Sequence, residues 1–583
     1  MTKAFRKKGL RVEVPATDEL VRILTLPRRE WERESDLASF TERATRYLRL
    51  PGGRQELWPL QAVALRDLHD MLGAYCPFPV GEGKTLASFL APTVLEVQRP
   101  LLVVPAKLRD KTIREFEALA QHWKRHQGLQ IVSYQKLSRS GGTELLQKYR
   151  PDLLIFDESH RLKNRNSAVT RKISAYMATF PETIVLALTG TSTGRSLLDF
   201  AHILRWCLPK CFPLPMNDPE LEVWAAAVDE IKTMENRVSA DPGALRKLCN
   251  ALELTKGRAG IRSAMRRRIQ ETPGVVTCES KSVDASLNIV LSLETGYSDR
   301  IRHLAEKLHE GISPDGDVFL VEGKELQALQ IKWTMMRTLT SGFWYDWVPR
   351  PPDDWMALRS KWKKAVRRIL EQHIPSLESE ALVAKAAGNQ KINQAYFELY
   401  NEWKSVRGLH KWNTTPVWED DTIVKRVAKW SKEHTGIVWV SEVALGQRLE
   451  KDLGLPYYGK GGVDRLGRSI ESAMSRDGSI VASVQANGEG RNLQYQWWDN
   501  LVISPPPTGW VWEQLIGRTH RQGQPAEEVW FEVVIGCDVE WECWQQAMRD
   551  TDYAEQIDGR KKLSVATIDR TFKQVPLTDG GLW

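Results

Sequence analysis

Short runs of apolar residues recur in two separate parts of the chain. The runs lie at residues 101–104, 153–156, 184–188, 437–440, 480–484, 501–503 and 529–535. They are largely continuous rather than alternating, and residues that form turns or carry charge bound each of them. Such runs predict strands that are buried on both faces of a parallel sheet.

Stretches with helical spacing of apolar residues, such as 111–123 and 443–453, lie between these strands. Strands that alternate with helices are typical of an α/β fold. Because the strands fall into two groups, we expect two α/β lobes with parallel sheets and a largely helical insertion between them. The predicted segments are an N-terminal accessory segment at 1–50, the first lobe at 51–215, a helical, basic and Trp-rich region at 216–425, the second lobe at 426–560 and a C-terminal tail at 561–583.

Composition supports a folded chain with more than one domain. A length of 583 residues exceeds what one hydrophobic core sustains and predicts two or three domains. Hydrophobic residues at 42% and charged residues at 27% exclude both wholesale disorder and a membrane-embedded body. Trp, at 23 residues, outnumbers Phe and Tyr. We attribute most of these indoles to packing, with base stacking as the alternative.

The seven Cys residues are few and odd in number, which indicates a reducing compartment rather than a disulfide framework. Cys207 and Cys211 form a CxxxC pair, but no second pair follows at zinc-finger spacing, so structural zinc is not expected. No run reaches the ~18 to 20 apolar residues of a membrane span, and acids interrupt the basic N-terminus before a signal core. We therefore expect no membrane contact and a cytosolic protein, with the nucleus left open.

Positive charge is concentrated in two segments. Lys and Arg number 82 against 74 Asp and Glu, and this net charge of +8 permits a polyanionic partner without requiring one. Residues 256–268 carry six Lys or Arg and no acid, and residues 359–368 carry six more. Each block is either a surface that contacts a phosphate backbone or a solvated helix face. The sequence favours neither reading.

The sequence GEGKT at 81–85 matches the end of a phosphate-binding loop. In such loops small residues let backbone amides surround the phosphates, a lysine reaches the β- and γ-phosphates and a hydroxyl binds magnesium. Lys84 and Thr85 fill the last two roles. Phe78 stands where the full pattern has glycine, so a chance turn before a helix is the alternative.

The strand predicted at 153–156 ends in two acids, Asp157 and Glu158. An apolar strand delivers both acids to the carboxyl edge of a parallel sheet. There Asp157 can hold magnesium through water and Glu158 can activate an attacking water. Buried strands seldom end in paired acids for packing reasons, which favours the catalytic interpretation.

Another turn follows the strand predicted at 184–188. Thr189, Gly190 and Thr191 bring hydroxyls that can couple a phosphate site to a bound nucleic-acid strand, although by itself this is only a turn. A glycine-rich segment at 487–494 follows the strand that ends at 484.

Two arginines, Arg518 and Arg521, lie three residues apart in the segment 514–524 and are predicted to share one face of a helix. Planar guanidinium groups suit the charge that spreads over a transferring γ-phosphate. A surface salt-bridge pair is the alternative.

The order of these motifs resembles motifs I, II, III, V and VI of superfamily 2 helicases. Finer details resemble the Swi/Snf branch of DNA-dependent ATPases, and the compact members that bacteriophages carry. The segments that carry this likeness are LWPLQ at 57–61, VVPAKL at 103–108, IVSY at 131–134, RTLTSGF at 337–343 and HRQGQ at 520–524. The resemblance covers about residues 55–210 and 325–560.

The resemblance implies two RecA-like lobes, ATP and Mg²⁺ as cofactors, and a set of site residues. Catalytic roles fall to Lys84, Asp157, Glu158, Gln514, Arg518 and Arg521. ATP contacts fall to Gln61 on the adenine and to Gly81, Gly83, Lys84, Thr85 and Gly490, with magnesium at Thr85 and Asp157. Nucleic-acid contacts fall to Lys107, Thr189, Gly190, Thr191 and Asn492.

Three positions depart from the usual pattern of the family. Ser159 replaces a small Gly or Ala, Ser192 replaces a Pro, and Gly517 stands where many members have Asp. None of these changes removes a catalytic group, so they indicate a divergent member.

The expected function is an ATP-hydrolysing motor, most simply a DNA-dependent ATPase that translocates on duplex DNA in remodelling, repair or replication. The duplex preference comes from the resemblance. One alternative is a helicase that separates DNA or RNA strands, and another is an ATP-gated nucleic-acid binding switch with little turnover. Glu158 argues against the switch, because a switch has little use for a water-activating base. The sequence identifies no partner protein.

Overall fold

The two groups of predicted strands form two separate parallel sheets in the computed structural model. The structure describes residues 12–29, 34–78, 83–190, 196–229, 240–277, 283–314, 325–371, 380–390, 393–409, 413–559 and 561–569. The chain divides into two units. Unit 1 contains Met1–Lys281 and Arg549–Ser564, and unit 2 contains Ser282–Met548 and Val565–Trp583.

The first part of the chain supplies most of unit 1. Its strands are β1 (Val12–Glu13), β2 (Ala74–Cys76), β3 (Pro100–Val104), β4 (Gln130–Ser133), β5 (Leu153–Asp157), β6 (Ile184–Leu188) and β7 (Ala240–Asp241). Its helices are α1 (Asp18–Thr25), α2 (Glu34–Leu48), α3 (Pro59–Met71), α4 (Lys84–Leu95), α5 (Arg109–Leu119), α6 (Tyr134–Ser138), α7 (Gly142–Tyr149), α8 (Ala168–Thr179), α9 (Ala201–Cys207), α10 (Asp218–Val228), α11 (Ala251–Leu254) and α12 (Gly257–Gln270).

The sheet of unit 1 has the order β2-β6-β5-β3-β4, and all its neighbouring strands are parallel. Successive residues of β3 point to opposite faces, so Leu101 packs into one hydrophobic cluster and Leu102 into another. Leu154 and Ile155 of β5 divide between the same two clusters. Both faces are therefore covered, which explains why these strands are apolar without alternation.

A further layer of unit 1 is tied together by a buried arginine of α12. The exposed fraction of Arg268 is 1%, and its guanidinium donates to the carbonyl oxygens of Ile23 at 2.9 Å and Leu26 at 3.2 Å. Arg29 forms a buried ion pair with Asp67 of α3. These contacts join the segment before α2 to the helices that surround the sheet.

The rest of the chain supplies unit 2 and the closing segment of unit 1, which is Arg549–Ser564. Its strands are β8 (Ser286–Leu293), β9 (Phe343–Val348), β10 (Asn413–Trp418), β11 (Gly436–Val440), β12 (Tyr457–Tyr458), β13 (Ile480–Ser483), β14 (Asp499–Ile503), β15 (Glu528–Ile535) and β16 (Thr567–Asp569). Its helices are α13 (Asp299–His309), α14 (Glu325–Thr340), α15 (Asp353–Glu371), α16 (Glu380–Gly388), α17 (Gln394–Val406), α18 (Thr422–Glu433), α19 (Val443–Leu453), α20 (Val484–Asn487), α21 (Gly509–Ile516), α22 (Asp538–Asp558) and α23 (Lys562–Val565).

The sheet of unit 2 has the order β12-β13-β11-β14-β15-β8-β16 and is also parallel. Val438, Val481 and Leu501 of its central strands pack into one cluster with helices of the same unit. The long strand β8 pairs with β15 over its whole length, and β16 pairs with the other side of β8.

The antiparallel strand pair β9 and β10 lies between α14 and α18 in the chain, and the helices α15, α16 and α17 connect its two strands. The three helices have their own small core around Trp362, Val383 and Tyr400. The ring centroids of Trp362 and Tyr400 are 5.0 Å apart. In this part of the chain, aromatic residues serve packing, as the composition predicted.

The predicted fold class is confirmed: the protein is α/β, with two RecA-like parallel-sheet lobes and many helices. Each of the predicted strands is present, with bounds within two residues of the apolar runs. The strands β8, β9 and β10 lie inside the stretch expected to be largely helical. Among the described residues, no helix is long and apolar enough to cross a membrane.

Candidate functional site

Gly83, the first described residue after position 78, begins the candidate site in unit 1. It adopts φ +74° and forms the N-cap of α4. This backbone conformation favours glycine, and a Cβ atom here would lie 1.9 Å from Gln61 Nε2 and displace that side chain. The amides at the start of α4 suit a phosphate group, because a helix N-terminus carries donors and partial positive charge.

Gln61 connects the starts of two helices. Its Oε1 accepts from Trp58 N at 2.9 Å at the start of α3, and its Nε2 donates to Gly83 O at 3.2 Å at the start of α4. The side chain is buried. The predicted adenine contact therefore lies directly against the phosphate-binding loop, with both ends of its amide bound to backbone.

Lys84 is the first residue of α4 and forms an ion pair with a predicted catalytic acid. Its Nζ lies 3.4 Å from Glu158 Oε1 and donates to Phe78 O at 3.4 Å. Only 11% of the Lys84 side chain and 15% of the Glu158 side chain are exposed. A charged pair this deeply placed needs further polar partners to offset desolvation.

The strand β5 brings both predicted acids to one edge of the sheet, because it ends at Asp157 and Glu158 follows at once. Glu158 adopts φ +53°, a left-handed conformation that is uncommon for a residue with a side chain. Its backbone N donates to Asp157 Oδ1 at 3.1 Å. The turn thus places Glu158 opposite Lys84 rather than along the direction of the strand.

The two acids titrate in opposite directions. Burial and the Glu158 charge raise the pKa of Asp157 above its ordinary value. Burial opposes the charged form of Glu158 as well, but Lys84 and the hydrogen bond from His160 outweigh it and hold the pKa of Glu158 below its ordinary range. Glu158 is therefore a carboxylate at neutral pH, which is the state a general base requires.

His160 extends the polar line from Glu158 to the next strand. Its Nδ1 lies 3.3 Å from Glu158 Oε2 and 3.2 Å from Thr189 Oγ1. Both His160 and Thr189 are buried, and Thr189 N donates to Cys76 O at 3.2 Å. The line Lys84–Glu158–His160–Thr189 links the phosphate-binding loop, the end of β5 and the end of β6.

The sequence analysis assigns no role to His160. The signal available there was a histidine three residues after Asp157, a spacing without a chemical requirement of its own. Its importance depends on Glu158 and Thr189, which lie on either side of it in space. Only the fold brings these groups together.

The donor set of unit 1 fits a nucleotide with Mg²⁺. Thr85 follows Lys84 at the start of α4 and provides a hydroxyl, and Asp157 provides a carboxylate. Mg²⁺ commonly binds one or two protein oxygens and completes its shell with water and phosphate. A divalent cation beside Asp157 would also offset the repulsion from Glu158 that raises its pKa.

The remaining calls in unit 1 lie on the same sheet or outside the described residues. Lys107 is exposed in a short 3-10 helix, Ala106–Leu108, that follows β3. Gly190 follows Thr189 after β6. Gly81 and Thr191, predicted to contact ATP and nucleic acid respectively, lie outside the described residues.

A second cluster of predicted residues forms in unit 2. Gly490 adopts φ +73° in the glycine-rich segment after α20. Arg521 Nη1 donates to Asn492 Oδ1 at 2.5 Å, and Asn492 is exposed. Gln514 is buried in α21. The structure therefore brings Gly490, Asn492 and Arg521 to one region of unit 2.

Arg518 and Arg521 do not share a helix face, and this prediction is wrong. The helix α21 ends at Ile516, before either arginine. Arg518 is buried and donates to Gln514 O at 2.7 Å and to Arg491 O at 2.8 Å. Arg521 is half-buried. The chain leaves the helix because backbone bonds such as Arg518 N to Leu515 O, at 3.0 Å, continue it as a tighter turn.

Comparison with known proteins gives two similarities. Residues 55–193 match the family described as "Type III restriction enzyme, res subunit". The chain is also 30% identical over 158 residues to the "ATP-dependent helicase fft1" of Schizosaccharomyces pombe. This alignment covers 23% of the chain and 16% of that relative, so the chain spans a small part of the relative's length.

The family match contains the whole candidate site of unit 1, from Gln61 through Lys84 and Glu158 to Thr189. The same residues carry the first three helicase motifs in their usual order. The motifs of unit 2 follow in the order that superfamily 2 requires, on a second parallel sheet. These similarities, the motif order and the two RecA-like lobes together support a superfamily 2 helicase-like protein.

Proposed function

We propose that the protein is an ATP-hydrolysing nucleic-acid motor, and specifically a DNA-dependent ATPase that translocates on duplex DNA. The observation that carries the proposal is the polar line Lys84–Glu158–His160–Thr189. It couples the loop that would hold phosphate to the strand end that the family resemblance assigns to nucleic acid. The similarity to an ATP-dependent helicase supports nucleotide use and nucleic-acid binding.

In this proposal Lys84 exchanges one anionic partner for another. Its ammonium, 3.4 Å from Glu158 in the structure, turns to the phosphates when a nucleotide binds. Glu158 then keeps its contact with His160 Nδ1 and accepts a proton from the attacking water. Mg²⁺, when bound by Thr85 and Asp157, neutralises phosphate charge.

The arginines of unit 2 supply positive charge for hydrolysis in the same proposal. Arg521 is the better candidate, because its guanidinium is half-buried and bound to a side chain, Asn492. Arg518 is buried with two backbone carbonyls and serves to hold the segment around Arg491. Lys107, Gly190 and Asn492 are the described candidates for contact with nucleic acid.

The deciding experiment measures steady-state ATP hydrolysis with no nucleic acid, single-stranded DNA, duplex DNA or single-stranded RNA. The variant Glu158→Gln provides the blank. Strong stimulation by duplex DNA is expected. Stimulation by single strands alone would contradict the duplex preference, and hydrolysis at the level of the blank under all four conditions would contradict the motor itself.

A strand-separating helicase is the second candidate. The name of the relative, "ATP-dependent helicase fft1", favours it. Displacement of a labelled strand from a partial duplex distinguishes the two activities, since a duplex translocase hydrolyses ATP without releasing the strand.

A further inference from the structure

The two basic blocks of the sequence, residues 256–268 and 359–368, differ in whether their charged side chains are bound inside the fold or exposed. In the first block, Arg262 donates to Val228 O at 2.7 Å and Gln556 Oε1 at 2.8 Å, and the side chain is buried. Arg268 is buried against backbone carbonyls, and Arg267 pairs with Glu253 at 2.9 Å. The charges of the block at 256–268 are therefore largely bound to oxygen acceptors within unit 1.

The second block forms the outer face of α15 in unit 2. Trp362, Ala365, Val366 and Ile369 are buried and point into the core of the three helices. Lys361, Lys363, Lys364 and Arg368 are exposed. Because successive helical residues are rotated by about 100°, these four side chains lie on the side of α15 away from the core. Between residues 355 and 370 the helix contains no Asp or Glu.

This distribution differs from that of a solvated helix surface. The neighbouring helix α17 exposes Glu398 and Glu402 together with Lys404, so both signs of charge occur there. Mixed charges of this kind are the ordinary way to cover a helix with water-facing residues. A face of single sign over more than two turns instead creates a field that attracts a polyanion.

The helix α15, which carries the basic face, is well packed against neighbouring aromatic side chains. Trp362 is 1% exposed, and Arg359 lies 5.4 Å from the ring centroid of Trp347 and 5.8 Å from that of Trp355. The contact with Trp347 attaches α15 to the strand β9, whereas Trp355 lies on α15 itself. From Lys361 to Arg368 the helix rises about 10 Å, roughly three nucleotide steps along a strand. The face therefore has a size that matches several consecutive phosphates.

We propose that the outer face of α15, formed by Lys361, Lys363, Lys364 and Arg368, binds the phosphodiester backbone of nucleic acid. The inference rests on the proposed function, since it gives the motor a contact in addition to those that the helicase motifs supply. It assigns this role to the part of unit 2 formed by α15, α16 and α17, to which the helicase motifs give no function. Because the contact is electrostatic, it carries no base preference.

The test compares two variants that each lose three exposed positive charges of unit 2. The first combines Lys361→Gln, Lys363→Gln and Arg368→Gln in α15. The matched control combines Lys404→Gln, Lys451→Gln and Arg476→Gln, whose exposed side chains lie in three separate segments of unit 2. Binding to labelled duplex DNA and to single-stranded DNA is measured without ATP at several salt concentrations between about 50 and 200 mM.

The α15 variant is expected to bind more weakly, and the slope of log affinity against log salt should fall by about 2 to 3. The control should keep the slope of the unaltered protein. ATP hydrolysis without nucleic acid should be equal in all three proteins, and circular dichroism should show equal folding. A loss with either duplex or single-stranded DNA supports the proposal.

Two results would overturn the proposal: an unchanged salt slope for the α15 variant, or equal losses for both variants. Equal losses would mean that only net charge matters. Because binding is measured without ATP, the outcome can be interpreted even if the protein hydrolyses no ATP. Failure of this inference is thus distinguishable from failure of the proposed function.

Discussion

Gly83 and Glu158 both adopt left-handed backbone conformations, at φ +74° and +53°, on either side of the Lys84 ammonium. Glycine adopts this conformation freely, whereas glutamate does so at an energetic cost. Strain of this kind persists where surrounding contacts hold it, here the ion pair with Lys84 and the contact with His160. The left-handed conformation of Glu158 therefore indicates that function takes precedence over backbone preference at this turn.

The variant Gly83→Ala should lose nucleotide binding and destabilise unit 1 by about 1 to 3 kcal/mol. The added Cβ would meet Gln61 Nε2 at 1.9 Å in an already unfavourable conformation. The control is Gly52→Ala, with φ +88° but no atom within 4 Å of the added Cβ. Urea unfolding should show a smaller loss for the control, about 1 to 2 kcal/mol, from the left-handed conformation alone. Equal losses in the two variants would show that the contact with Gln61 is unimportant.

The variants Lys84→Ala and Glu158→Gln should abolish ATP turnover, with losses of about a hundredfold or more. Arg521→Ala should do the same while nucleotide binding is retained, because the proposed mechanism gives its charge a role only in the transfer step. Steady-state hydrolysis and fluorescent-nucleotide binding measure the two effects. Arg476→Ala, which removes an arginine that is 83% exposed, should change neither. Hydrolysis near that of the unaltered protein in any of the first three variants would remove that residue from the mechanism.

A pH-dependent contribution to stability is expected from Asp229, which is 3% exposed. Burial raises its pKa to about 6, although hydrogen bonds from Ser196, Tyr553 and Leu197 oppose the rise. The folded state therefore holds the proton more tightly than the unfolded state, whose carboxyl has a pKa near 3.8. The contribution favours folding below about pH 4 and is lost as pH rises through 6, a change of about 3 kcal/mol.

The variant Asp229→Asn removes this titration while it keeps the shape of the side chain. The free energy of unfolding of the unaltered protein, relative to the variant, should fall between about pH 4 and 6 and then level off. Urea unfolding at several pH values measures the difference. Parallel curves across this range would contradict the raised pKa.

At the scale of single residues, the sequence predicted the charged residues that lie in a loop or at the end of a strand. Lys84, Asp157 and Glu158 were predictable because their chemistry follows from local pattern. The bonding of Arg518 was not, because its partner Arg491 lies 27 residues away. The role of His160 likewise depends on Thr189, on another strand.

At the scale of elements, continuous apolar runs predicted the strands of both sheets. β5 and β6 contain five residues each, buried on both faces, and the runs at 153–156 and 184–188 match them closely. β8 was missed because Ser286, Asn288 and Ser292 interrupt its apolar positions. Its place beside β15 comes from pairing over its whole length, which the local pattern does not contain.

The small core of α15, α16 and α17 makes Trp362→Ala a test of element stability. Removal of a fully buried indole should destabilise this cluster by about 3 to 5 kcal/mol. Hydrogen exchange should then become faster in α15, α16 and α17 and remain slow in the strands of both sheets. Trp362→Phe, which retains most of the ring contact with Tyr400, should have a smaller effect. Uniform loss of protection through unit 2 would contradict a separate core.

At the scale of the whole molecule, unit 1 is assembled from distant parts of the chain. Tyr553 Oη donates to Asp229 Oδ1 at 2.8 Å across 324 residues of sequence. Arg262 lies over the Tyr553 ring at 4.9 Å. No local pattern predicts such a contact, so the return of the chain to unit 1 could not be deduced from the sequence.

The variant Tyr553→Phe should destabilise unit 1 by about 1 to 3 kcal/mol, because it leaves a buried carboxyl with one donor fewer. The phenyl ring keeps the contact with Arg262. Tyr47→Phe, at a residue 63% exposed in the same unit, is the control and should have little effect. Urea unfolding measures both variants. A loss no greater than that of the control would show that the hydroxyl of Tyr553 does not hold the closing segment.

The closing segment also has a consequence for biosynthesis. Arg549–Ser564 leaves the ribosome roughly 270 residues after Lys281, so at ~5 to 20 residues per second unit 1 waits roughly 15 to 50 s for its last helical residues. Meanwhile almost all of unit 2 is made. The buried groups that Tyr553 and Ile557 will cover therefore stay exposed in the nascent chain. The lobe that is translated first is among the last to be completed, and its uncovered apolar surface is open to aggregation in the meantime.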